Sequence, residues 1–204
     1  MTPSRARSAR EASFDEDYYH RFYTSRQTRV QGPREVGELA SRALLQIKWA
    51  GGQVTTALDV GAGPGLWRDW FARRHPEIKY RSTDVSPYAC ARFGHEPRDI
   101  TQWRAREKFD LVISQGVLPY SPRPGVIAAI ENLAAMTRGF LYLEAVTRRD
   151  LDELCDADRT DPAMRRHPGT FYRKHLQKHF ASLGFGLWIK RNVAGRLYEL
   201  ERGP

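Results

Sequence analysis

Apolar positions along this chain change period several times, and each change marks an element. In FDEDYYHRFYTSRQTRV, Phe14, Tyr18 and Phe22 recur at every fourth position, which predicts a short aromatic helix. Gly32-Pro33 breaks that pattern. Pro33 then opens a second helix whose apolar positions Val36, Leu39, Ala40, Ala43, Leu44 and Ile47 recur at three and four and stop before Gly51-Gly52. Beyond it strand and helix patterns alternate: VTTALDV, IKYRSTDV, FDLVIS and FLYLEAV read as strands, and LWRDWFARRH, SPYACARF and PGVIAAIENLAAMTRG as the helices between them. Such alternation predicts an α/β domain, a mostly parallel sheet with helices on both faces. The last stretch differs. HPGTFYRKHLQKHFASLG reads as a helix with Leu176, Phe180 and Leu183 inward, and FGLWIKR and RLYELE as strands whose short NVAG link predicts an antiparallel pair at the sheet edge.

Composition narrows the picture. With 204 residues, 41% of them hydrophobic, the chain is long enough for one domain with its own core. No apolar run has the length to span a bilayer, and Cys90 and Cys155 lack a CxxC partner, so a soluble, cytoplasmic protein without structural zinc or disulfides is expected. The six histidines are scattered; His175 and His179 share a helical face but have no HExxH glutamate, so no metal is expected. A net charge of +9 invites a nucleic-acid reading, yet residues 1–34, 35–150 and 151–204 each carry +3. A generally basic surface fits that spread better than a dedicated face. Residues 1–12, with three arginines and few apolar side chains, read as a flexible Arg-rich tail.

The stretch ALDVGAGPGLW, at the end of the first strand of the alternating region, places Asp59 before Gly61, Gly63 and Gly65. In an open parallel sheet, ligands bind beyond the carboxyl ends of the strands, and glycines there let backbone approach closely. A P-loop needs a GK[ST] ending, and this loop has no lysine. A dinucleotide fingerprint needs a glycine where Leu66 stands, and Asp59 would repel a pyrophosphate. A cationic ligand suits the loop instead, and the sulfonium and amino groups of S-adenosylmethionine meet that requirement.

DVGAGPG resembles the first motif, DxGxGxG, of the class I S-adenosylmethionine-dependent methyltransferases, and the resemblance runs in order through residues 54–146. It implies a Rossmann-like fold with a mostly parallel seven-stranded sheet and an antiparallel edge strand, with S-adenosyl-L-methionine as cofactor. Asp84 in STDVS, with Val85 beside it, matches the acidic position that holds the ribose hydroxyls; Ser86 rather than Asp84 is the better cap for the helix that follows. Asp99-Ile100 in EPRDIT matches the pair that meets the adenine. FDLVISQGVLPY matches the strand under the methionine portion, which adds Gln115 and Gly116. Asp110 begins that strand, at the wrong end for chemistry, and reads as structural. Trp67, Trp70 and Trp103 read as core.

The expected division is a helical cap over 13–52, a cofactor-binding core over 53–146, and a substrate-side segment with a C-terminal hairpin over 147–204. Helices before the first strand often cover the cofactor in the family, so Tyr19 or Tyr23 is expected to close over the methionine end. The charged run 147–174 leaves the carboxyl end of a strand, where loops carry function. Glu144, or alternatively His20, is the candidate base. The favoured acceptor is a small molecule. SQGV departs from the [DNS]PP[YFW] signature of nucleobase amino methylation, which disfavours DNA. Two alternatives stay open: a tRNA or rRNA methyltransferase gripping phosphate with its arginines, and a non-catalytic module that binds S-adenosylmethionine to regulate a partner.

Overall fold

A computed structural model describes residues 14–193. In chain order its elements are helix α1 (Glu16–Tyr19), continued by a π-helical turn (His20–Thr24), α2 (Pro33–Trp49), β1 (Thr56–Val60), α3 (Leu66–Arg74), β2 (Lys79–Asp84), α4 (Pro87–Phe93), β3 (Glu96–Pro97), β4 (Phe109–Gln115), α5 (Arg123–Met136), β5 (Thr137–Glu144), α6 (Arg148–Glu153), α7 (Gly169–Leu176), β6 (Phe180–Gly184) and β7 (Leu187–Lys190). The seven strands form one sheet in the order β3-β2-β1-β4-β5-β7-β6. Strands β1 to β5 pair in parallel, and β7 runs antiparallel to both β5 and β6. The antiparallel strand is therefore one place in from the edge.

Side chains alternate between the two faces, and both faces are covered. Leu58, Val112 and Leu141 point to one side, where Ile130 and Leu133 of α5 and Leu176 of α7 bury them. Their neighbours Ala57, Leu111, Ile113, Phe140 and Tyr142 point to the other, under α2 and α3. This two-sided burial explains why the strands read as unbroken apolar runs. Each large side chain removed from water contributes roughly 1.5–3 kcal/mol. Asp110 anchors the opposite end of the sheet: its carboxylate accepts from the Thr55 hydroxyl at 2.7 Å and from the Thr56 amide at 3.0 Å, and it pairs with Arg138 at 3.0 Å. Burial alone would raise its pKa, but the bonds from Thr55 and Thr56 hold it below the ordinary value. Trp67 and Trp70 are core residues, whereas Trp103 is only half-buried and lies under the guanidinium groups of Arg81 and Arg98.

Three expectations need correction. The helix expected over 167–184 stops at Leu176, and Phe180–Gly184 form β6. Leu176, Phe180 and Leu183 have helical spacing, but Gly184, Phe185 and Gly186 take positive φ of 83°, 48° and 81° and turn the chain tightly into β7. The observed hairpin is thus FASLG with LWIK, while RLYELE lies outside the described residues, as do residues 1–12. The helix expected to run to Gly139 ends at Met136, since Gly139 must pass the Asp110 carbonyl, which a Cβ there would approach to 3.0 Å. The charged run after β5, for which no element was expected, contains α6, capped reciprocally by Thr147 and Asp150, and a 3-10 turn (Ala157–Arg159).

Candidate functional site

Strand order reverses at β1, which has β2 on one side and β4 on the other. That switch point opens a crevice at the carboxyl ends of the strands. Asp59 reaches it from β1, Asp84 from β2, Gln115 from β4 and Glu144 from β5; the last two are register partners. Gly61, Gly63 and Gly65 all have positive φ. At Gly61 a Cβ would lie 2.3 Å from Val117, so the loop admits no side chain there.

Asp84 ties this loop to the crevice. It is 5% exposed, and its two carboxylate oxygens accept separately from the Gly63 amide at 2.9 Å and the Ser86 amide at 2.8 Å. Burial raises its pKa, opposed by those amides. Ser86 caps α4, accepting from the Ala89 amide at 3.1 Å, and donates its hydroxyl to the Phe14 carbonyl at 2.5 Å, which moors the N-terminal segment. His95 bridges the same loop from below, with Nδ1 2.8 Å from the Ser82 hydroxyl and Nε2 2.9 Å from the Gly63 carbonyl. Asp59 is 2% exposed and accepts from the Tyr80 hydroxyl at 2.5 Å. Burial pushes its pKa up to about 7, Tyr80 opposes the rise, and the charge of Asp84 adds to it.

Two adjoining cavities occupy the crevice, of about 100 and 60 Å³. Asp59, Gly61, Gly63, Gln115, Gly116, Tyr23 and Glu144 line the first, and Tyr19, Asp84 and Val85 join the glycines at the second. Gln115 knits the first together: its Oε1 accepts from Trp67 Nε1 at 2.8 Å, and its Nε2 donates to Gln31 at 2.7 Å and to Glu144 Oε2 at 3.2 Å. Glu144 Oε2 also accepts from the Tyr142 hydroxyl at 3.0 Å. Over the crevice lies an aromatic roof. Tyr19 stacks on Tyr88 at 5.6 Å, Phe14 meets Tyr120 edge-on at 4.8 Å, and the Tyr18 and Tyr120 hydroxyls are 3.1 Å apart. Burial drives the hydroxyl pKa values of Tyr18, Tyr19, Tyr23 and Tyr120 far above their usual range. The expected single-faced helix is too short to arrange this; the π-helical turn at His20–Thr24 brings Tyr19 and Tyr23 inward together with Tyr18 and Phe22.

Four expected residues line neither cavity. Gly65 caps the amino end of α3 with a φ of 78°. Asp99 Oδ1 accepts from the Thr101 amide and hydroxyl at 2.9 and 2.8 Å, and Ile100 is 4% exposed in the core. His20 is exposed and lines a separate outer depression with Arg21 and Asp158, so the structure does not bring it to Glu144. Conversely, Gln31, Tyr120, Asp161 and Met164 line the first cavity without having been singled out in the sequence, and Tyr18, named there for its helical spacing, lines it too. Tyr120 and Asp161 fall inside stretches marked as functional, but Gln31 carries no signal. Among the described residues no group of three or more His, Cys, Asp or Glu is placed to hold a metal ion, and no helix is long and apolar enough to cross a membrane.

No protein-family model matches the chain, nor does any curated protein. Solved structures do. The N-methyltransferase NodS of Bradyrhizobium japonicum, in complex with S-adenosyl-L-homocysteine, is 20% identical with a TM-score of 0.54, over 78% of this chain and 87% of that one. An S-adenosylmethionine-dependent methyltransferase of Clostridium acetobutylicum is 12% identical with a TM-score of 0.59, over 79% and 92%. The chain has the class I methyltransferase fold. The magnesium protoporphyrin IX methyltransferase of Synechocystis, with bound S-adenosylmethionine, shares that methyltransferase fold over 92% of this chain and 100% of its own, at 16% identity and a TM-score of 0.56.

Proposed function

We propose that the protein is an S-adenosylmethionine-dependent methyltransferase acting on a small molecule. The observation that carries this reading is the meeting, at one switch point, of the positive-φ glycine loop, two buried carboxylates, Asp59 and Asp84, and an adjoining chamber that ends at Glu144. A bound S-adenosylmethionine supplies a methyl group on a sulfonium leaving group. Within this reading Asp84 and Val85 receive the ribose, the Gly61–Gly65 backbone and Gly116 flank the methionine portion, and Asp59 balances its cationic end. Asp99 and Ile100 take the adenine outside the two cavities. The cap over 13–52 excludes water, the core over 53–146 binds, and the segment from 147 onward completes the acceptor side. Glu144 is the residue placed to take a proton from the acceptor.

Both cavities are smaller than the roughly 300 Å³ at which small-molecule sites begin. Tyr19, with its Cε1 3.7 Å from where a Gly63 Cβ would be, fills part of the space. Binding on this reading displaces the aromatic roof outward. That roof is also what favours the second reading, a module that holds S-adenosylmethionine without turnover; the chamber beyond it, reaching Glu144 and Asp161, supports catalysis instead. An RNA acceptor gains nothing here, since no described residue lining either cavity is Lys, Arg or His. Calorimetric titration with S-adenosylhomocysteine and with NAD tests the reading. S-adenosylhomocysteine alone is expected to bind, and Asp84→Ala to weaken it about 10- to 100-fold, the loss of one or two charge-assisted hydrogen bonds. Binding of NAD, or of neither, would overturn the assignment.

A further inference from the structure

The larger cavity is an acidic chamber in a basic protein. The chain carries +9, yet Asp59, Glu144 and Asp161 line this space and no described lining residue is Lys, Arg or His. Most of the remaining wall is aromatic or apolar, with Tyr18, Phe22, Trp67 and Tyr120 prominent. A cofactor held as proposed above brings one amino group and one sulfonium, and Asp59, buried beside the glycine loop, answers that end. Two carboxylates remain. Glu144 stands at the end of β5; both bonds that hold it, from Tyr142 at 3.0 Å and Gln115 at 3.2 Å, fall on Oε2, and among the described residues none is donated to Oε1. Asp161 comes from the segment after β5, and its charge acts on the hydroxyls of Tyr18 and Tyr120.

A carboxylate or phosphate entering this chamber would meet like charges with no cation among the described lining residues to offset them, in a space where water screens poorly. A neutral alcohol could give its proton to Glu144 but would leave the charge of Asp161 without a counter-charge. An ammonium gains a charge-assisted hydrogen bond and the faces of the surrounding tyrosines. We propose that the methyl acceptor is an amine on a compact apolar or aromatic body, received as a cation by Glu144 and Asp161. This rests on the methyltransferase reading. The ammonium first gives one proton to the Glu144 carboxylate. The freed nitrogen lone pair then bonds to the methyl carbon as the carbon–sulfur bond breaks, its electron pair staying on sulfur, and the methylated nitrogen carries away the positive charge that sulfur loses. Glu144 returns its proton to water.

The test is a binding series on the full chain saturated with S-adenosylhomocysteine, titrated with phenethylamine, 2-phenylethanol and 3-phenylpropionate, probes of similar size that differ at the polar end. Phenethylamine is expected to bind at least about tenfold more tightly than the alcohol, with the acid weakest. Glu144→Gln and Asp161→Asn should each weaken phenethylamine about tenfold with little change in melting temperature. Equal affinity for amine and alcohol, tighter binding of the acid, or no amine binding by protein that does hold S-adenosylhomocysteine overturns the amine assignment alone. Failure to hold S-adenosylhomocysteine overturns the methyltransferase reading and the amine assignment with it. The wild-type series decides the matter even if a variant fails to fold.

Discussion

Asp59 is a carboxylate kept where water cannot solvate it, and its protonation is therefore linked to folding. Its ordinary pKa is 3.8, and burial, only partly offset by the Tyr80 hydroxyl, moves it to about 7 in the folded chain. Below pH 3.8 both folded and unfolded states hold the proton, so the group takes nothing from stability. Between 3.8 and about 7 unfolding releases a proton, so stability falls as pH rises, and above about 7 the loss is complete. The full interval corresponds to at most about 4 kcal/mol. Asp59→Asn removes the charge and keeps an acceptor for Tyr80. Denaturant melts from pH 4 to 8 should show wild type losing stability relative to this variant as pH rises. A constant difference across that range would mean that Asp59 is solvated or paired in a way the fold does not explain. The same residue was read from sequence as a fixed negative charge welcoming a cation. Burial makes it a conditional one, and no spacing of residues in ALDVGAGPG announces that.

The element that organises the site is the turn from β1 into α3, and its glycines are not equivalent. Gly61 has a φ of 73°, and a Cβ there would sit 2.3 Å from Val117; Gly116 has a φ of 70° but open space around it. Gly116→Ala should therefore cost the fold only the backbone strain, about 1 kcal/mol, although its added Cβ enters the cavity and weakens S-adenosylhomocysteine. Gly61→Ala adds a clash between β1 and β4 and should cost more than about 2 kcal/mol and abolish binding; thermal melts with and without the ligand separate the two. This turn was legible because its chemistry is local: three glycines at alternate positions after a buried strand. So were β1, β4 and β5, whose apolar runs reflect burial on both faces; β2, with the sequence KYRSTD, is only partly buried and has no such run. The two-residue β3 was not, since Glu96-Pro97 has no pattern to read, and it exists only by pairing with Thr83 and Asp84. β6 was misread because Leu176, Phe180 and Leu183 have helical spacing, and the turn that decides against a helix needs Phe185 at positive φ, where a bulky residue is rare. The chamber wall was the least legible part. Gln31 and Tyr120 reach it through long-range contacts, which leave no trace in local periodicity, and the helical spacing of Tyr18 did not tell that it turns into the chamber.

Across the whole molecule, the two segments that cover the crevice are joined to each other as well as to the sheet. Arg159, in the segment after β5, donates its Nε to the Arg29 carbonyl at 3.1 Å, a contact between the substrate side and the N-terminal cap. The same segment is fastened below, where the Arg165 amide donates to the Pro119 carbonyl at 2.8 Å and His167 Nε2 lies 2.9 Å from the Ser121 carbonyl. The cap is fastened separately, through the Ser86 hydroxyl on the Phe14 carbonyl. A roof built this way has two halves fastened separately to the sheet and joined at Arg159, so a ligand that displaces Tyr19 should loosen or settle both halves together. Hydrogen exchange measured with and without S-adenosylhomocysteine is expected to change over residues 14–31 and over 156–167 in parallel, although α6 and the 3-10 turn do not touch the glycine loop. Arg159→Ala should leave the melting temperature within a few degrees, because the contact is exposed, yet confine the exchange change to residues 14–31. If the variant still protects both segments to the same degree, the coupling runs through Tyr18 and Tyr120 beneath the roof. Tyr18→Phe, which removes one hydroxyl of the 3.1 Å pair and keeps the ring, is then the change that should part them.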